Sequence, residues 1–97
     1  MITRRPNGPS PVARITIRWE ARGLKEAESL PRAARLQILD AVESLMENPL
    51  KGERLSAEWK GVRRLRVGTY HVLYAFDGSE LLMLVLRVRH RREAYRK

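Results

Sequence analysis

Ninety-seven residues carry 20 Lys and Arg against 11 Asp and Glu, a formal net charge of +9, with 43% hydrophobic residues and no cysteine. A chain of this length supports one small basic domain and a single core. The lack of cysteine excludes disulfides, thiolate zinc sites and thiol nucleophiles together, and it suits a reducing cytoplasm. The longest apolar run, Leu81 to Leu86, is far below the roughly 18 residues that span a bilayer, so no membrane segment is expected.

The first 11 residues, MITRRPNGPSP, combine prolines, glycine and arginines and predict a flexible basic arm ahead of a domain spanning 12–97. Pro6, Gly8, Pro9 and Pro11 stand where a signal peptide would place its apolar stretch, so no export signal is read. From Val12 the pattern has period two, with Ile15, Ile17 and Trp19 on one face and Arg14, Thr16 and Arg18 on the other, as in a half-buried strand. Leu24, Ala27 and Leu30 then share a helical face that ends at Pro31. Residues 32–47 place Leu36, Leu39, Val42, Leu45 and Met46 in a second helical stripe, stopped by Asn48-Pro49. The two helices are expected to form a hairpin whose apolar stripes cover a sheet.

Residues 50–61 show no sustained period and read as a basic loop bearing Lys51, Arg54 and Lys60. Val62 to Val67, Tyr70 to Phe76 and Leu81 to Val88 are β-rich runs separated by Gly68-Thr69 and by the Asp77 to Glu80 region. The predicted architecture is therefore α+β: a small single domain with an N-terminal strand, a helical hairpin and a three-stranded antiparallel meander.

Charge concentrates in the C-terminal half: residues 1–18 carry a net +4, residues 19–50 a net −2 and residues 51–97 a net +7. A one-sided basic surface attracts polyanions, nucleic acid among them, although cationic side chains also keep sheet edges soluble. Strand register sharpens this. If Gly68-Thr69 is a two-residue turn, Val67 faces Tyr70 and Arg66 faces His71. Continuing, Leu65 faces Val72, Arg64 faces Leu73 and Arg63 faces Tyr74, so Arg64, Arg66 and His71 share one face as an outward cationic patch. Leu65, Val67, Tyr70, Val72 and Tyr74 occupy the other face, the natural partner of the helices. The face of the third strand stays open, because two- and three-residue loops near Asp77 give opposite parity and Leu81 to Leu86 are apolar on both.

Such a patch suits RNA cleavage by attack of a ribose 2′-hydroxyl on the adjacent phosphate. That reaction needs cations on the phosphorane oxygens, a proton acceptor for the 2′-hydroxyl and a donor to the leaving 5′ oxygen. An aromatic side chain that stacks a splayed base would hold the nucleotide in line. His71 is the one well-placed ordinary acid/base group, although a cross-strand Arg-His pair is equally a solvated surface pair. Tyr95 is read as either a packing or a stacking tyrosine, and His90 as a surface or phosphate-contacting residue. Two histidines and no cysteine make a transition-metal site hard to assemble.

The run Gly61-Val-Arg-Arg-Leu-Arg-Val-Gly-Thr-Tyr-His-Val-Leu-Tyr74, followed by an apolar strand and Val88-Arg-His-Arg-Arg-Glu-Ala-Tyr95, resembles the RelE/ParE toxin superfamily, and its RelE side more closely. The RelE pattern runs roughly Tyr-Arg-x-Arg-x-Gly-x-Tyr-Arg-Val-x-Tyr and closes on Gly-His-Arg-x-x-x-Tyr. The resemblance covers about residues 12–96 and matches the order of elements. It implies a toxin of a toxin-antitoxin pair that enters the ribosomal A site and cuts mRNA there, a cytoplasmic, cofactor-free and metal-independent endoribonuclease with a cognate antitoxin. By the resemblance, Arg64, Arg66, Arg91 and Tyr95 are expected to stabilise phosphate, stack a base or move a proton, with His71 joining them. Lys51, Arg54, Lys60, Arg63, Arg89, His90 and Arg92 are the expected RNA-contacting residues.

This sequence departs from the pattern at three places: His71 stands for an arginine, Arg63 for a common aromatic and Arg89 for a glycine. Two other readings share the resemblance. One is a ParE-like inhibitor of DNA gyrase without nuclease activity. The other is a non-catalytic relative that binds RNA or antitoxin.

Overall fold

The computed structural model describes residues 14–55 and 60–90. The arm over 1–11, together with Val12, Arg91, Arg92 and Tyr95, lies outside the described residues. The elements follow in chain order: strand β1 (Thr16–Trp19), helices α1 (Ala21–Glu28) and α2 (Arg32–Ser44), then strands β2 (Glu53–Arg54), β3 (Val62–Val67), β4 (Tyr70–Asp77) and β5 (Leu82–His90). One five-stranded sheet has the order β1-β5-β4-β3-β2. The predicted α+β class and meander are present. Two pairings go beyond the sequence expectation: β1 lies parallel to β5, and the supposed loop over 50–61 contains β2, antiparallel to β3.

Pro31 divides the helices as expected. Its extended backbone ends α1, while its carbonyl accepts the Arg35 N–H at 2.9 Å and so opens α2. The faces the helices bury match the sequence reading in part: Ala27, Val42 and Leu45 are in the core and Leu30 packs against it, but other members of the stripes are not. On α2 the sheet side is Ile38, Val42 and Leu45, whereas Leu36 is 51% exposed and Leu39 and Met46 also face solvent. Charged Asp40 and Glu43 flank Leu36, whereas small Ala34 and Ala41 flank the buried side and let it come close to the strands. On α1 the same rule selects Gly23 and Ala27 over the exposed Leu24. A Cβ at Gly23 would stand 2.9 Å from the Leu86 carbonyl oxygen and 3.1 Å from that of Val85, so the helix backbone lies directly on β5.

The β3-β4 turn at Gly68-Thr69 sets Val67 opposite Tyr70, Arg66 opposite His71, Leu65 opposite Val72, Arg64 opposite Leu73 and Arg63 opposite Tyr74, as the turn chemistry predicts. On β5 neither parity holds throughout. A bulge opposite Leu73/Tyr74 pairs Leu73 with Arg87 but Tyr74 with Val85, leaving Leu86 as the extra residue. Met83 and Val85 face the core before the bulge and Val88 after it. The phase change swings Arg87 and Arg89 onto the face opposite the helices.

The core lies between that sheet and the helices: Tyr74, Ile38, Leu45, Met83, Val72 and Val85 are fully enclosed. Tyr74 also anchors the segment leading into β2. Its hydroxyl donates to the Pro49 carbonyl at 2.7 Å and accepts the Gly52 N–H at 2.9 Å. Arg63 closes the same turn, its Nη1 donating to the carbonyls of Leu50 at 3.2 Å and Gly52 at 2.7 Å.

Candidate nucleic-acid interface

Cross-strand pairing arranges the face opposite α1 and α2 in two rows. Arg66, His71 and Arg89 form one across β3, β4 and β5; Glu53, Arg64, Leu73 and Arg87 form the next, starting on β2. Paired residues project to the same side of a sheet, and neighbouring strands lie about 4.8 Å apart, so Arg66 and Arg89 bracket His71 across roughly 10 Å. Four guanidinium groups thus share one surface, where each can meet an anionic oxygen through charge-assisted hydrogen bonds.

Arg66 is exposed, and Arg64, Arg87 and Arg89 are half-buried. His71 is not the outward-facing group the sequence suggests. It is 1% exposed, and Leu73 beside it is buried as well. Both lie on β4, with β3 on one side and β5 on the other, and long arginine stems lie in register on each flank. The imidazole lies beneath the cationic surface and not upon it.

The face also holds two carboxylates. Glu53 receives a hydrogen bond from Arg64 Nη2 and keeps its own side chain 69% exposed. The Arg64 guanidinium first, and then the charges of Arg66 and His71, hold the Glu53 carboxyl below the ordinary glutamate value. Glu26 of α1 closes the other end. It accepts Arg87 Nε at 3.1 Å, Arg87 Nη2 at 2.8 Å and the Val88 N–H at 2.8 Å, with Arg89 Nε 3.9 Å away. Burial works to raise the Glu26 carboxyl, but these donors and the two positive charges outweigh it and leave it below the ordinary value. β1 pairs with β5 only as far as Val85, so Glu26 covers a backbone donor on the strand edge that β1 leaves open.

The other expected RNA contacts are dispersed. His90 has the parity of Val88 and meets Tyr70 edge to face on the helix side, ring centroids 5.6 Å apart. It therefore leaves the patch, because neighbours on a strand face opposite sides and the bulge gives Arg89 the outward one. Arg63 is engaged with the loop carbonyls. With Arg54, Lys60, Leu50 and Phe76 it lines a pocket of about 710 Å³ on another part of the surface. Lys51 lines a smaller cleft of about 400 Å³ against α2, together with Arg66, Gln37 and Asp40. Arg91, Arg92 and Tyr95 fall outside the described residues. Sequence reasoning misses Arg87, Glu26 and Glu53. The signal for Arg87 is its spacing of two from Arg89; the carboxylates carry none, since their partners are 61 and 11 residues away. Among the described residues no group of three or more His, Asp or Glu could hold a metal ion, and no helix is long and apolar enough to cross a membrane.

The five-stranded sheet with a helical hairpin on one face and a basic surface on the other defines a small toxin domain of the RelE/ParE type. A family model described as the ParE toxin of the type II toxin-antitoxin system, parDE, matches residues 17–95. Toxin RelG of Mycobacterium tuberculosis is 31% identical over 84 residues, covering 84% of this chain and 97% of that protein. The toxin-antitoxin complex RelBE2 of the same organism contains a chain 30% identical, with a TM-score of 0.74 over 81% of this chain and 100% of that one. The isolated E. coli RelE toxin shares the fold at a TM-score of 0.68 and 16% identity, covering 78% of this chain and 83% of that one. This chain belongs to the RelE/ParE superfamily and is a type II toxin of the ParE toxin family.

Proposed function

We propose that this toxin is a ribosome-dependent mRNA endonuclease that cuts in the A site by 2′-hydroxyl attack, works in the cytoplasm and is neutralised by a cognate antitoxin. The observation that carries the reading is the set Arg64, Arg66, Arg87 and Arg89 on the face opposite α1 and α2. Guanidinium groups fixed on rigid strands can stabilise charge developing on phosphorane oxygens without reorganising as it forms. His71, buried between Arg66 and Arg89, supports that surface from below; the proton-transfer and stacking roles then fall to Arg91 and Tyr95 of the closing motif. The relatives named RelG and RelE support the Rel side, and the solved complexes titled toxin-antitoxin support an antitoxin partner. An acidic, partly disordered antitoxin segment would complement a surface of this charge.

Primer extension on a defined mRNA tests the reading, with empty-A-site ribosomes compared with naked RNA and with the Arg64→Ala/Arg66→Ala variant. Ribosome-dependent cuts at the A-site codon that vanish in the variant are expected. One observation favours a gyrase-directed ParE-like toxin instead: the matching family model carries the ParE description. No cleavage, together with inhibition of gyrase supercoiling that survives Arg64→Ala/Arg66→Ala, would replace the first reading by the second.

A further inference from the structure

The cationic face carries an exposed carboxylate hydrogen-bonded to one of its own arginines. Glu53 stands opposite Arg64 in the β2-β3 pair, hydrogen-bonded to Arg64 Nη2, its side chain 69% exposed against 19% for Arg64. Carboxylate and phosphate oxygens meet a guanidinium with the same charge-assisted N–H···O geometry. The place Glu53 occupies on Arg64 is therefore one that a phosphate oxygen can take.

We propose that Glu53 is an internal counter-ion that fills the phosphate seat of Arg64 in the free toxin, is displaced by a backbone phosphate of RNA, and so sets the affinity and salt dependence of binding. The inference rests on the nucleic-acid reading of this face. β2 is only two residues long, yet the Tyr74 hydroxyl and the Arg63 guanidinium pin the turn before it, so Glu53 is held in register with Arg64. It also lies within the field of Arg66 and His71, which makes it a counter-charge to the patch and not to one side chain alone. Glu26 differs. Half-buried and bonded to both Arg87 and the Val88 backbone, it is part of the scaffold and has no such freedom to leave. Because the Glu53 carboxylate stands largely in solvent, the pair is screened, and a phosphate that also meets Arg66 can exchange with it.

Fluorescence anisotropy with a 5′-fluorescein-labelled 12-nucleotide single-stranded RNA tests this on the full chain, between 20 and 200 mM KCl, for wild type, Glu53→Gln, Arg64→Gln and the double variant. Glu53→Gln is expected to bind about two- to tenfold tighter at 20 mM KCl, with a salt slope steeper by about 0.7, the value for one more phosphate neutralised on a single strand. In the Arg64→Gln background the same change should give less than half that gain. Unchanged or weaker binding by Glu53→Gln, or an equal gain with and without Arg64, overturns the proposal.

A second arm uses inorganic pyrophosphate and the ¹³C resonance of the Glu53 carboxyl. Release from Arg64 should move its titration midpoint upward toward the ordinary glutamate value, and an unmoved midpoint counts against exchange. If all four proteins fail to bind RNA while pyrophosphate still displaces Glu53, the exchange is confined to small anions and the claim that Glu53 sets RNA affinity is overturned, whereas ribosome-dependent cleavage stands or falls by primer extension.

Discussion

Replacing Tyr74 by Phe removes one oxygen from a fully enclosed site and leaves the ring where it is. That oxygen donates to Pro49 at 2.7 Å and accepts from Gly52 at 2.9 Å. Each hydrogen bond is worth about 1 kcal/mol net, and stranding their buried partners adds about 1 kcal/mol or more. A loss of about 3 kcal/mol follows, equivalent to roughly 12–24 °C in Tm for a domain of this size. Urea unfolding followed by circular dichroism measures the loss, and amide exchange localises it: Gly52 and Glu53 should gain exchange more than β5. The phenol adds a pH signature. Burial raises its pKa above the ordinary 10.0, against the opposing Gly52 N–H and the Arg63 charge. The stability it contributes is complete below the unfolded value and is lost as pH rises through the folded one, a loss the Phe variant should lack. A destabilisation below about 0.5 kcal/mol, or exchange raised evenly over the sheet, would refute the reasoning.

Glu26→Gln should cost about 1 kcal/mol at neutral pH after allowance for solvent screening. Because the folded pKa is lowered, this stability is present above the unfolded value and lost as pH falls through the folded one, so acid titrations of the two proteins should converge. Ile38→Ala should destabilise by about 2–5 kcal/mol, whereas Leu36→Ser should stay under about 1 kcal/mol; equal losses in urea unfolding would contradict the helix face described. Gly23→Ala should cost about 2 kcal/mol or more, since the new methyl meets β5 carbonyl oxygens and not a yielding side chain. His71→Ala should leave a cavity costing about 2–4 kcal/mol. A single-turnover cleavage rate lowered tenfold or more in fully folded variant would instead put the imidazole in the reaction.

Much of the meander is legible in the sequence because its information is local. Gly68-Thr69 between two β-rich runs sets the turn, and the turn sets every β3-β4 pair, which places Arg64 and Arg66 on one face by parity alone. Pro31 likewise marks the break between helices from its own covalent geometry. The site is less legible than the strands that carry it. Sequence groups His90 with Arg89 and sets His71 in solvent, but the Leu86 bulge and the packing of the sheet put His90 on the helix side and bury His71.

By itself the sequence determined the order of the two helices and of every strand but β2, the charge asymmetry and the β3-β4 register, all properties of neighbouring residues. Tertiary packing selected the side of α2 that is buried: Ile38, Val42 and Leu45 enter the core, while Leu36, equally apolar but flanked by Asp40 and Glu43, stays exposed. It also decided that β1 would pair with β5, that one extra residue would turn Arg87 and Arg89 toward Arg64 and Arg66, and that Glu26 and Glu53 would become their counter-ions. Those choices depend on groups far apart in the chain, whose energies exist only once the sheet has closed.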